Sequence, residues 1–198
     1  SQQEIVLGTS MANRTRRELE DMIGYLVNTV VLRNTLAAGQ TFRQVLKVVR
    51  ANTLEALMHQ ELSLERLVKE IQVERDLSRN PLFQVSFVFH NAPFDDLQLD
   101  GLEVRRLRFK STAARVDLML IMDDDGASVR GEWIFNLDLF EPGTLQRMNE
   151  HYRTLLGSIL DHPDAPIESL NLLAEGEKKQ VLEDWNQTAH AYPTDRCL

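Results

Sequence analysis

The sequence predicts an α/β fold, a mixed sheet with packed helices, and three observations predict it. Leu82 to His90 alternates side chains at the period of a strand. Val116 to Met122 and Val129 to Phe135 flank Asp123-Asp-Asp-Gly126, a turn signal that favours an antiparallel hairpin. Between and after these runs, apolar residues recur at helical spacing, and no internal repeat is present.

Ile5, Val6 and Leu7 form a short apolar strand, and Gly8 to Arg14 leaves it as a polar loop. Val27 to Leu32 is a continuous apolar and β-branched run, suited to a strand buried on both faces. Beyond Gly39, the residues Phe42, Val45, Leu46, Val49, Ala56 and Leu57 mark an amphipathic helix with Arg43, Lys47 and Arg50 outward. A second helix covers Leu64, Leu67, Val68 and Ile71. Ser63 caps its start, and Arg66 stands where a capping-box carboxylate would sit, so that box is incomplete. In the strand Leu82 to His90, Phe83, Val85, Phe87 and Phe89 share one face and Gln84, Ser86 and His90 the other. Asn91 to Gly101 reads as a loop, and Leu102 to Phe109 as a strand whose apolar phase changes after Val104, as a bulge would cause. Pro142 opens a helix with the stripe Leu145, Met148, Tyr152, Leu155 and Ile159, ending near Asp161-His-Pro163. A last amphipathic segment is expected over Ala174 to Trp185.

The 198 residues, 43% of them hydrophobic, suffice for one good core or two small lobes. A net charge of -8 argues against nucleic acid, and the cluster Arg105, Arg106, Arg108 and Lys110 reads as a solvated edge strand. No apolar run reaches membrane-spanning length and Ser1-Gln-Gln-Glu4 lacks a signal pattern, so the expectation is no membrane and a cytoplasmic location. The single Cys197 forms no internal disulfide and is too isolated for a thiolate metal site. A strand that starts almost at once, and the connector-like Ala189 to Leu198, predict a piece of a longer protein.

The five histidines form no acid/base or metal constellation in the sequence. His59 closes a helix, His90 ends a strand on the Gln84 and Ser86 side, His151 lies on a helix surface, and His162 and His190 are turn and linker residues. Gly8 and Gly24 fit no phosphate-binding fingerprint and read as points of backbone freedom. Asn28, a polar side chain within an apolar run, must be hydrogen-bonded, either orienting backbone or lining a channel. Asp117 poses the same problem as a carboxylate, with an arginine as its natural partner. Within Arg75-Asp-Leu-Ser-Arg-Asn-Pro81, Asp76 and Ser78 can cap amides, and Arg79 can grip a carboxylate. Asn80 is biased to extended geometry before Pro81. That run makes a rigid corner or the wall of a site.

Several of these segments occur in an order that carries a family resemblance. Gln3 to Arg14, Ile23-Gly-Tyr-Leu-Val-Asn-Thr29 with Arg33, His59-Gln-Glu-Leu-Ser-Leu-Glu65, Arg75 to Leu82, Thr112 to Leu118 and Phe135-Asn-Leu-Asp-Leu-Phe140 follow one another. In that order they resemble the C-terminal lobe of a condensation domain from a nonribosomal peptide synthetase. Glu61, Ser63 and Leu64 depart from a motif usually richer in Asp, Pro and Phe, and Val116 replaces an aromatic residue. The resemblance covers Gln3 to about Asn171, giving a lobe over residues 1–171 and a linker toward an adenylation domain over 172–198.

What the resemblance implies is a chloramphenicol-acetyltransferase-like sandwich whose two lobes enclose a tunnel. Upstream and downstream peptidyl carrier proteins would insert phosphopantetheine arms from opposite ends, and an amide bond would form between their loads. The paired-histidine motif would lie in the N-terminal lobe, leaving no catalytic residue here and a fragment inactive alone. Gly8, Thr9, Ser10 and Asn28 become substrate-channel candidates, and Arg33, Asp76, Arg79, Asn80 and Asp117 structural ones. No metal is implied. An epimerization-domain lobe and a non-catalytic carrier-docking module are the alternatives.

Overall fold

The structure, a computed structural model, describes residues 2–72, 79–90, 99–104, 114–124 and 126–189. Among the described residues, five strands form one mixed sheet: β1 (Glu4–Met11), β2 (Asn28–Thr35), β3 (Val85–His90), β4 (Leu118–Asp124) and β5 (Val129–Phe135), in the order β2-β1-β3-β4-β5. β1, β3 and β4 run parallel, and β2 and β5 flank them antiparallel as the two edges. Four α-helices among the described residues accompany the sheet: α1 (Phe42–Met58), α2 (Leu64–Ile71), α3 (Pro142–Asp161) and α4 (Glu175–Leu182).

Register decides which side chains share a face, because residues paired across a ladder point the same way. Trp133, Leu120 and Phe87 are aligned across β5, β4 and β3, as are Gly131, Met122 and Phe89. On this face Tyr152 of α3 meets Trp133 edge-on at 6.3 Å, and its hydroxyl donates to Met122 Sδ at 3.6 Å. Gly8 aligns with Ser86, so the opposite parity of β1, with Asn34 and Asn28 of β2, shares the α3 face. Asn52 of α1 donates to Asn34 Oδ1 at 2.9 Å, and Asn28 reaches the α1–α2 connection. These contacts place α1, its connection to α2, and α3 on one face of the sheet.

Buried apolar residues lie on both faces of the sheet. Leu118 and Leu120 face α3, which contributes Leu145, whereas Val88 and Phe83, the latter over Gly8, lie on the opposite face. Pro142 holds the first position of α3, where a missing N–H costs nothing, and Met148, Tyr152, Leu155 and Ile159 continue the stripe half-buried. α2 is capped by Ser63, which accepts from Arg66 N, without a reciprocal carboxylate. The β4–β5 hairpin turns at Gly126, whose φ of +79° few side chains tolerate, and Asp124 Oδ1 accepts its N–H.

Several expectations are corrected. β1 continues through Gly8–Met11, which the sequence suggests as loop, because each of those residues pairs with β2. β2 is an edge strand beginning at Asn28 rather than a doubly buried one, so Val30, Val31 and Leu32 are only half-buried. In β3 the deeper residues are Ser86 and Val88, opposite the aromatic face, and Phe89 is 43% exposed. The expected final helix is shorter: α4 stops at Leu182, and a separate 3-10 turn spans Asp184–Asn186. Leu102 forms an isolated bridge to Leu99, while residues 105–109 of the predicted strand and 91–98 of the predicted loop lie outside the described residues.

Candidate functional site

The channel candidates Gly8, Thr9, Ser10 and Asn28 converge on the far end of the β1–β2 ladder. There Gly8 pairs with Val31, Thr9 with Val30, Ser10 with Thr29 and Met11 with Asn28. They do not share a face. Asn28 turns toward the helices, where its Nδ2 donates to Gln60 O at 2.6 Å and Leu62 O at 2.8 Å. Its Oδ1 accepts Thr29 N at 2.9 Å, so both ends of the amide are engaged in holding the α1–α2 connection on β2. Ser10 is exposed on the other face, and Thr9 is buried on the helix face.

Gly8 owes its identity to a close approach rather than to backbone freedom. Its φ is not positive, and an added Cβ would stand 2.6 Å from Phe83 Cδ2 and closer to Cε2 and Cζ. Ser86 completes the junction by donating its hydroxyl to Gly8 O at 2.9 Å.

The structural candidates are spread more widely. Arg33 pairs with Glu4 across the β1–β2 ladder. Asn80 builds a corner ahead of β3: its Oδ1 accepts Leu82 N at 3.1 Å and Phe83 N at 3.4 Å, and Gln84 Nε2 returns to Asn80 O at 3.0 Å. Arg79, Asn80, Gln84, Arg115, Asp117 and Asn136 line a cleft of about 240 Å³ at the starts of β3 and β4. Asp117 is half-buried there and, among the described residues, makes no ion pair with either arginine. The expectation of a buried carboxylate with an arginine partner is corrected, because the cleft leaves the group partly exposed. Asp76 and Ser78 lie outside the described residues.

At the other end of the sheet, β3 and β4 close on His90 and Asp123. His90 Nδ1 stands 2.8 Å from Asp123 Oδ1. His151, expected on a helix surface, is instead a bridge: its Nε2 lies 2.7 Å from Glu177 Oε2, tying α4 to α3. Among the described residues, no group of three or more His, Cys, Asp or Glu side chains could hold a metal ion. Burial pushes the Tyr152 hydroxyl above its ordinary range. The Glu168 carboxyl is held below its own, first because Gly39 N donates to it at 2.7 Å and then because its own backbone N–H does.

Sequence reasoning misses the His90–Asp123 pair because only strand order makes those residues neighbours. It also misses Arg14, whose guanidinium donates to the carbonyls of Leu19, Glu20 and Met22 and holds the loop before β2. That loop presents Ile23 and Tyr25 almost fully exposed. The signal for Thr41 was legible, since Gln44 completes its capping box.

The family model of the condensation domain matches residues 1–182. The chain belongs to the condensation-domain family. This condensation-domain chain is 38% identical over 199 aligned residues to one of the linear gramicidin synthase proteins of Brevibacillus parabrevis, covering 100% of the chain and 3% of that protein. Bacitracin synthase 1 of Bacillus licheniformis is 34% identical over 187 residues, with 94% of the chain and 4% of that protein covered. The chain thus spans a small part of the relatives it matches. A four-domain nonribosomal peptide synthetase bound to AMP and glycine shares the fold with a TM-score of 0.79 and 23% identity, over 89% of this chain and 14% of that one. The X-domain from teicoplanin biosynthesis does so with a TM-score of 0.76 and 23% identity, over 86% of this chain and 40% of that one. Such mixed sheets with packed helices are the architecture expected from the sequence.

Proposed function

We propose that this chain is the second lobe of a condensation domain that forms an amide bond within a nonribosomal peptide synthetase. The carrying observation is alignment along 100% of the chain with a linear gramicidin synthase protein, at 38% identity. In this reading an upstream carrier presents an acyl or peptidyl thioester and a downstream carrier an aminoacyl amine, each on a phosphopantetheine arm. The amine nitrogen bonds the thioester carbonyl carbon, the carbon–sulfur bond breaks, and a thiol leaves. This lobe acts by positioning, and the acid/base histidines belong to the other lobe. Holding both reactants in place of a bimolecular encounter can supply about 7–11 kcal/mol.

Within that reading, residues 1–171 form the lobe and 172–198 lead toward an adenylation domain in a cytoplasmic assembly. Gly8, Thr9, Ser10 and Asn28 mark the end of the β1–β2 ladder nearest the channel, with Asn28 acting through the backbone it holds. Arg33, Asp76, Arg79, Asn80 and Asp117 serve the scaffold.

The test is intact-carrier mass spectrometry with loaded donor and acceptor carriers, comparing this chain with a protein that carries both lobes. Amide product from the two-lobe protein alone supports the reading. No product from folded two-lobe protein with several matched substrates overturns it. A docking role is the second reading, favoured by fold similarity to an X-domain solved in complex with OxyB, at a TM-score of 0.73. Carrier binding without turnover would select it.

A further inference from the structure

We propose that His90 and Asp123 form a recognition site for a primary ammonium group on the sheet face opposite the helices. The two residues are register partners at the carboxyl ends of the parallel strands β3 and β4. Parity sets both on the face away from α1 and α3, together with Ser10 near the end of the neighbouring parallel strand β1. In open sheets, ligands bind beyond the carboxyl ends of parallel strands.

The chemistry of the pair defines its ligand. A carboxylate only accepts hydrogen bonds, so the 2.8 Å contact takes Nδ1–H as donor, and in the neutral imidazole this leaves the lone pair on Nε2. The side chains remain 46% and 33% exposed, so the ring is accessible. Around it on the same face stand Asp123, Arg130 as the register partner of Asp123, and Glu132 opposite Ile121. Asp124 turns to the other face, where its Oδ1 accepts Gly126 N. A ligand reaching His90 meets an imidazole lone pair and carboxylate oxygens. It must therefore bring N–H donors, and positive charge is favoured by Asp123 and Glu132 and opposed by Arg130. A primary ammonium supplies both. The proposal rests on the condensation reading for one point only, that the aminoacyl amine is the ammonium-bearing substrate.

The first test is ring-nitrogen NMR on the 198-residue chain, titrated with glycinamide and with N-acetylglycinamide, which lacks the ammonium. The expected result is a protonated Nδ1 on His90 and an Nε2 resonance that moves with glycinamide alone. Asp123→Asn should abolish the selective response while Trp133 and Tyr152 resonances, on the helix face, stay in place. Equal responses to both probes, none to either, or an unchanged response in Asp123→Asn would overturn the site. The second test uses the two-lobe protein. His90→Gln should raise KM for the aminoacyl carrier about fivefold, the loss of one ordinary hydrogen bond, with kcat within about twofold. Glu177→Gln, on the helix side, should leave KM unchanged. An unaltered KM in His90→Gln overturns the assignment of the acceptor amine. Selective binding in a protein that makes no amide bond overturns the condensation reading and leaves the ammonium site standing.

Discussion

Replacing Gly8 with alanine tests whether the β1–β3 junction is set by shape. Where the backbone is compatible, glycine to alanine stabilises by about 0.4–1 kcal/mol through the unfolded chain. Gly8 has such a backbone, since its φ is not among the positive ones. The obstacle is Phe83: the new Cβ would stand 2.6 Å from Cδ2, against 3.4–4 Å for ordinary contact, so the ring must retreat by more than 0.8 Å. Phe83 is only 4% exposed and cannot swing into solvent. Overpacking of this kind costs about 1–3 kcal/mol, which exceeds the unfolded-state gain over most of its range. For a chain of this length that is a fall in Tm of about 2–4 °C per kcal/mol. Urea and thermal denaturation of Gly8→Ala, Phe83→Leu and the double variant give a complete cycle. The smaller side chain should relieve the clash, with a coupling of at least about 0.5 kcal/mol. Gly8→Ala as stable as the parent, or equally costly in both backgrounds, would refute the steric account.

Two further perturbations probe the polar connections. Asn28→Asp keeps the shape and the acceptor for Thr29 N but sets a carboxylate against the carbonyls of Gln60 and Leu62. A loss of about 2 kcal/mol is expected in urea denaturation at neutral pH, and no loss would show that the amide donors do not hold the connection. Glu168 has a folded-state pKa depressed by the Gly39 and Glu168 N–H groups, so its contribution is present above the unfolded carboxylate pKa. It is lost as pH falls through the lower folded value. Glu168→Gln should therefore be less stable than the parent at neutral pH and converge with it under acid, and a gap that widens on acidification would contradict this sign.

The elements most legible in the sequence are those whose evidence is local. Pro142 and the stripe from Leu145 to Ile159 define α3, and the Asp-Gly turn defines the β4–β5 hairpin, because propensity, period and turn chemistry agree within one segment. Ser63 was legible for the same reason. What could not be read depends on which strands become neighbours. The run from Val27 is apolar enough for a central strand, yet Asn28–Thr35 lies at an edge because, among the described residues, β1 alone pairs with it. Gly8 looked permissive until Phe83 arrived from a distant segment to fill the space over it. His90 looked solitary until parallel pairing set Asp123 beside it. The sequence thus offers candidate residues, while their geometry follows from strand pairing.

That geometry separates two kinds of role within the same short stretch. Adjacent residues of a strand face opposite ways, so Thr9 and Ser10 cannot both line one channel through their side chains. Asn28 lies on the helix side with its donors committed to Gln60 and Leu62, so in the proposed channel it would act through the placement of the α1–α2 connection. The opposite face carries Ser10, His90 and Asp123, two of them already paired at hydrogen-bonding distance. A substrate laid across that face would meet side chains directly, whereas one approaching Asn28 would meet a packed support. Loss of function from Asn28 variants should therefore follow their loss of stability, while loss from His90 variants should be independent of it.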